Sequence, residues 1–138
     1  MDLVPHARRL FEALLAEHEV DPATVEVVDP ALDARAAAYG EQLLEMRWRK
    51  GVTSHAARKL MRDPAWFGNM MVHAGDADGL IAGLTISYPD TIRPALQVHR
   101  TLPGVTKAAG IYLLLFEDRM LFIADTTVNQ DPTADELA

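Results

Sequence analysis

Four groups of residues in this chain have the types and spacing to do chemistry. His73, Asp76 and Asp78 form an H-x-x-D-x-D run of potential metal ligands. The same stretch reads GDADG, and here a turn is the better account. Gly75 and Gly79 permit positive φ, and the aspartates can cap nearby amides. Thr85, Ser87 and Tyr88 are hydroxyl-bearing residues placed just after a short apolar run, Gly79–Leu84. If that run is a strand, they reach the C-terminal edge of a sheet, where open α/β sheets bind ligands. An ordinary strand-end turn is the alternative. Asp125 follows LFIA directly and Asn129 comes four residues later. Both can serve a cleft, or simply hydrogen-bond the loop that contains them. Arg47, Arg49 and Lys50 crowd the end of a helical pattern, where cations complement the negative C-terminus. Lys107, in the loop after Pro103-Gly104, reads as a solvated charge.

These residues need elements to position them. Leu3, Ala7, Leu10 and Leu14 share a helical face, with Phe11 and Leu15 beside it, so an amphipathic helix opens the chain and Asp21-Pro22 ends it. Val25–Val28 reads as a short strand. A long helix follows, with Asp29 as N-cap, Pro30 in its first turn and apolar positions at Leu32, Ala36, Tyr39, Leu43 and Met46. Gly51 closes it as a C-cap glycine. Thr53–Met61 and Ala65–His73 read as short helices separated by Asp63-Pro64, and Gly79–Leu84 as a strand. Helix follows over Pro89–His99. Proline inside a helix costs roughly 3 kcal/mol, so Pro94 belongs in a first turn and the regular helix is expected from Ile92 or Arg93. Ala108–Phe116 and Met120–Val128 read as strands joined at Glu117-Asp118, apolar enough to be buried on both faces. The expected class is α/β, three layers α/β/α around a largely parallel sheet.

Composition narrows the function classes. The 138 residues include 13 basic and 20 acidic ones, giving a net charge of −7. That balance argues against nucleic acid and anionic membrane as partners, although a local basic patch can still hold an anion. No cysteine is present, so thiolate metal sites, disulfides and cysteine nucleophiles are excluded. No apolar run approaches the roughly 20 residues of a membrane span, and Met1–Val20 carries charges throughout, unlike a signal peptide. A cytoplasmic, soluble protein is expected. The sequence contains no G-x-S-x-G elbow, no P-loop and no G-x-G-x-x-G.

Three runs then carry a resemblance: VHAGDADGLIAGL, YPDTIRPALQV and LFIADTTVNQDPTADELA. Together they resemble the phosphotransacetylase family (phosphate acetyl/butyryl transferases), over roughly Val25 to the end. The wording of YPDTIRPALQV and ADTTVN is most similar to the phosphotransacetylase-like domain at the C-terminus of bacterial NADP-dependent malic enzymes. The resemblance implies a two-domain architecture, with residues 1–99 the later part of domain one and 100–138 the beginning of domain two. It implies acetyl-CoA as a ligand, as allosteric effector in a malic enzyme or as substrate in a phosphate acetyltransferase, with phosphate as the other partner. Arg93 in TIRPALQ and Arg47 in LEMRWRKG are implied contacts of acyl-CoA or phosphate, and planar bidentate arginines suit both. Cleft-facing roles follow for Asp125 and Asn129 in ADxxxN. Homo-oligomerisation through this region is also implied, as is NADP and divalent-metal binding in other domains of a parent protein. A later segment of the family carries the serine, arginine and aspartate to which catalysis is ascribed, and nothing in residues 1–138 matches it. The chain alone is therefore expected neither to oxidise malate nor to transfer acetyl groups efficiently. Thr133 and Glu136 have capping-box spacing only a few residues from the end, so a helix, and a longer domain, are expected to continue.

Overall fold

The computed structural model describes residues 4–101, 103–105, 107–125, 127–129 and 133. Among the described residues five α-helices precede one hairpin: α1 (Val4–Glu17), α2 (Arg35–Arg47), α3 (Ser54–Leu60), α4 (Pro64–Ala74), α5 (Tyr88–Val98), β1 (Ile111–Leu115) and β2 (Met120–Ala124). They fall into two compact units, Met1–Phe67 and Gly68–Ala138.

In the first unit α2 begins at Arg35, later than Asp29-Pro30 suggests. Asp29 accepts from the Ala31 amide at 2.9 Å, and its carbonyl takes the Leu32 and Asp33 amides, so the proline opens a separate turn. Asp33 then sets the helix start. It accepts from the Arg35 amide, and its two oxygens receive Arg35 Nε at 2.9 Å and Nη2 at 2.7 Å. That bidentate pair holds the Asp33 carboxyl down at about 2. Tyr39 and Leu43 are buried as their spacing predicts, while Leu32, outside the helix, is 78% exposed. The Tyr39 and Phe67 rings meet edge to face at 5.1 Å. Gly51 adopts φ 88° and ends the segment in a Schellman arrangement. Its amide bonds Trp48 O and the Val52 amide bonds Arg47 O. Thr53 caps α3 through the Ala56 amide, and Asp63 caps α4 through Ala65 and Trp66.

The second unit holds the rest of α4, which also ends on a left-handed glycine. Gly75 has φ 82°, its amide bonds Val72 O, and the Asp76 amide bonds Met71 O. GDADG is thus a helix-terminating turn, although Gly79 does not use positive φ. The 79–84 run is not a strand. It crosses between α4 and α5, where Leu80 packs so closely on Gly68 that an added Cβ would lie 2.8 Å from Leu80 Cδ1. Val25–Val28 likewise forms no strand, because apolar β-branched runs pair only where a neighbour presents its own ladder. Helix α5 starts at Tyr88, four residues before the Ile92 that Pro94 suggests. Ser87 caps it and Pro89 occupies its first turn, so the start is fixed there and Pro94 is carried inside, fully buried.

The sheet differs from the expected largely parallel one. Among the described residues it is a two-stranded antiparallel hairpin, with Leu113 opposite Phe122 and Tyr112 opposite Ile123. The short Glu117-Asp118 link permits only an antiparallel return. Every residue of both strands is exposed, in place of the burial on both faces that their composition suggests.

Candidate functional site

The second unit gathers the hydroxyls, one arginine and the acid–amide pair singled out in the sequence. The start of α5 is built by its own side chains. Ser87 Oγ accepts from the Asp90 amide at 3.3 Å and donates to Asp90 Oδ2 at 2.7 Å, a reciprocal cap with aspartate at the third helical position. Ser87 is thereby a structural cap. Thr85 lies exposed in the bend before it. One turn into the helix, Arg93 projects with 60% of its side chain exposed and reaches Asp90 Oδ1 at 3.5 Å. Such an exposed i,i+3 pair holds loosely, leaving the guanidinium able to exchange its carboxylate for another anion.

Asp125 forms the second half of the constellation. It leaves β2 with φ 50°, a left-handed conformation that aspartate tolerates better than most residues. Its amide donates to Gly110 O at 2.7 Å. Its Oδ1 accepts from the Val128 and Asn129 amides, each at 3.2 Å, and its Oδ2 accepts from Asn129 Nδ2. The other hydrogen of that nitrogen reaches Ala108 O at 2.9 Å. The Asn129 amide and these backbone donors hold the Asp125 carboxyl below its ordinary value. The structure therefore brings Asp125 and Asn129 together as a loop-fastening pair. A carboxylate so fully engaged positions its loop and is no free base.

Two features escaped sequence reasoning. Tyr88 Oη and Thr127 Oγ1 are hydrogen-bonded at 3.1 Å across 39 positions, tying the start of α5 to the turn after β2. Gly110 lies beneath this contact, where an added Cβ would come within 3.1 Å of Val128 Cγ2. Nothing local signals either. Beside α5, Asn69, Leu80, Thr91 and His99 border a shallow groove of about 320 Å³. There His99 Nε2 meets Asn69 Oδ1 at 3.0 Å. Desolvation, then the charge of His73, lowers the His99 pKa.

Arg47 belongs to the first unit, half-buried in the last turn of α2, a position where a cation can complement the helix end. Arg49 instead stacks on Trp48, 5.1 Å from the ring centroid. Lys107 is exposed. The helix expected around Thr133 and Glu136 falls outside the described residues. No helix among the described residues is long and apolar enough to cross a membrane.

Comparison with known proteins gives this geometry its context. A family described as phosphate acetyl/butaryl transferase matches residues 9–138. A phosphate acetyltransferase of Nitratidesulfovibrio vulgaris is 41% identical over 114 residues, covering 83% of this chain and 16% of that protein. Another, from Corynebacterium glutamicum, is 39% identical over 83% of this chain and 35% of its own length. Among solved structures, a phosphotransacetylase from Streptococcus pyogenes superposes with a TM-score of 0.76 at 35% identity, over 91% of this chain and 38% of that one. The EutD phosphotransacetylase of Staphylococcus aureus gives 0.74 at 32% identity, with the same coverage. The chain thus spans well under half the length of each of these relatives. With a match running from Arg9 through both halves of the constellation, this chain belongs to the phosphate acetyl/butaryl transferase family.

Proposed function

We propose that the chain takes part in moving an acetyl group between CoA and phosphate, contributing contacts to acetyl-CoA and to the phosphate. The observation that carries this is Arg93. It sits on a well-capped helix, mostly exposed, with its loosely paired guanidinium facing solvent. In acetyl transfer a phosphate oxygen attacks the thioester carbonyl, the carbon–sulfur bond breaks, and CoA leaves as the thiolate. A bidentate arginine suits the dianionic nucleophile in this step. Thr85 offers an exposed hydroxyl in the bend before that helix, Ser87 fixes the helix start through its cap, Asp125 and Asn129 fasten the loop after β2, and Arg47 is a further proposed anion contact. The relatives named above are phosphate acetyltransferases, which favours substrate binding over effector binding.

A second reading keeps acetyl-CoA as an allosteric effector in a malic enzyme, with the region also supporting oligomerisation. The wording of YPDTIRPALQV and ADTTVN favours it. An effector must then bind two enzyme states unequally. Calorimetric titration of acetyl-CoA and of phosphate, into wild type and Arg93→Ala, separates the two. Phosphate binding that disappears in Arg93→Ala supports transfer, for which both substrates must be held. Acetyl-CoA binding without phosphate binding supports the effector. Binding of neither would sink both readings.

A further inference from the structure

Away from α5, a concentrated run of positive charge lies on α3. His55, Arg58 and Lys59 follow i, i+3, i+4 spacing along one face of the helix, and Arg62 joins them from the turn that follows it. All four are exposed, while Ala57 and Met61 on the other side are buried. They border a shallow groove of about 420 Å³. Glu41 adjoins Arg58 in the neighbouring groove. Yet among the described residues no carboxylate lies within 4.0 Å of any of these four side chains; the ion pairs there involve Arg35 and Arg93.

Helix-end compensation accounts for only part of this. Arg58 and Lys59 occupy the last turn of α3, where cations belong, but His55 is in its first turn and Arg62 beyond its end. Arg58 and Lys59 place two like charges side by side in a helix only seven residues long, and Arg62 adds a third in the turn that follows. In a chain with 20 acidic and 13 basic residues, carboxylates to neutralise this face are plentiful. Glu41 stands nearby without pairing, so among the described residues the face keeps its charge available to an external anion.

We infer that this face binds a small polyanion carrying two or more phosphate groups. A lone phosphate is served by two cations, whereas seven residues of helix span about 10 Å, enough for phosphates set apart from one another. An extended polyanion such as nucleic acid is disfavoured by the net charge of −7. Two sources share the required chemistry: a free oligophosphate and the phosphate-bearing nucleotide end of CoA. Only the second rests on the function proposed above.

Sodium triphosphate and CoA are each titrated at low salt into the wild-type chain, Arg58→Gln/Arg62→Gln, Arg93→Ala and the combination of the two. Triphosphate should bind the wild type and weaken as salt screens the face. The double variant should lose about tenfold or more, and by the same factor whether Arg93 is intact or replaced by alanine. A parallel loss of CoA affinity in the double variant identifies the nucleotide end of CoA as the source; unchanged CoA affinity identifies a free oligophosphate. His55→Gln/Lys59→Gln, on the same exposed face, should reproduce the triphosphate loss should the first variant not fold. No triphosphate binding by the wild type, or equal binding by a folded variant, overturns the inference, whatever Arg93→Ala does to acetyl transfer.

Discussion

Asp125 turns the chain out of β2 through a positive φ, and its own carboxylate holds the turn by accepting from Val128 and Asn129. Its folded pKa lies below the ordinary value, so its stabilising effect is complete above the unfolded pKa, about 3.9. The effect fades as the pH falls through the lower folded value. Asp125→Asn should therefore melt below wild type near neutral pH, with the gap closing as the pH drops below about 4. A gap that stays constant into acid would contradict this network. Arg93→Ala carries the opposite expectation. It removes only an exposed helix pair worth about 0.2–0.5 kcal/mol, so the melting midpoint should barely move while anion binding is lost. A loop held by the Asp125 carboxylate was one of the two readings ADxxxN offered, because a short polar side chain at a strand end can reach the amides that follow it; its direct pairing with Asn129 was not among them. The Tyr88–Thr127 bond was not legible, because its partners stand 39 positions apart and leave no local trace.

At the level of elements, caps decided more than propensity. Ser87→Ala should cost about 1 kcal/mol by removing the N-cap of α5, read as a lower urea midpoint at unchanged slope. Gly40 tests packing between α2 and α3. It is buried, yet an added Cβ would meet Met61 Cγ at an ordinary 3.6 Å, with the Arg58 backbone at 3.9 Å. Gly40→Ala should thus be tolerated and gain up to about 1 kcal/mol of helix propensity. A destabilised variant would show that those helices sit closer than described. Helix existence was readable from period and caps, and Gly51 as a stop was readable from its type. The α5 start was not, because the interior-proline penalty outweighed a cap that was already visible in Ser-Tyr-Pro-Asp. The expected strands at 25–28 and 79–84 failed for another reason. Apolar β-branched character marks a segment that can pair, but not whether a partner is present.

For the whole molecule, the hairpin is the least satisfied part. Leu113, Phe122, Ile111, Leu115 and Met120 share one face and are 48–70% exposed. Tyr112, Leu114, Leu121 and Ile123 make the other face nearly as apolar, at 38–43%. Contiguous apolar surface of this kind, with outer strand edges unpaired among the described residues, drives association. Sedimentation should show concentration-dependent association that Leu113→Lys/Phe122→Lys weakens; a wild type that stays monomeric at high concentration would count against it. The proposed acyl-CoA site depends on Arg93. Its most direct test is the thermal midpoint of the chain with and without excess acetyl-CoA, for wild type and Arg93→Ala. Ligand at about 100 times its dissociation constant should stabilise the wild type by about 2.7 kcal/mol and raise its midpoint. That rise should largely vanish in Arg93→Ala, whose unliganded midpoint matches wild type. A cooperative melt indifferent to acetyl-CoA, or an equal rise in the variant, would contradict the claim.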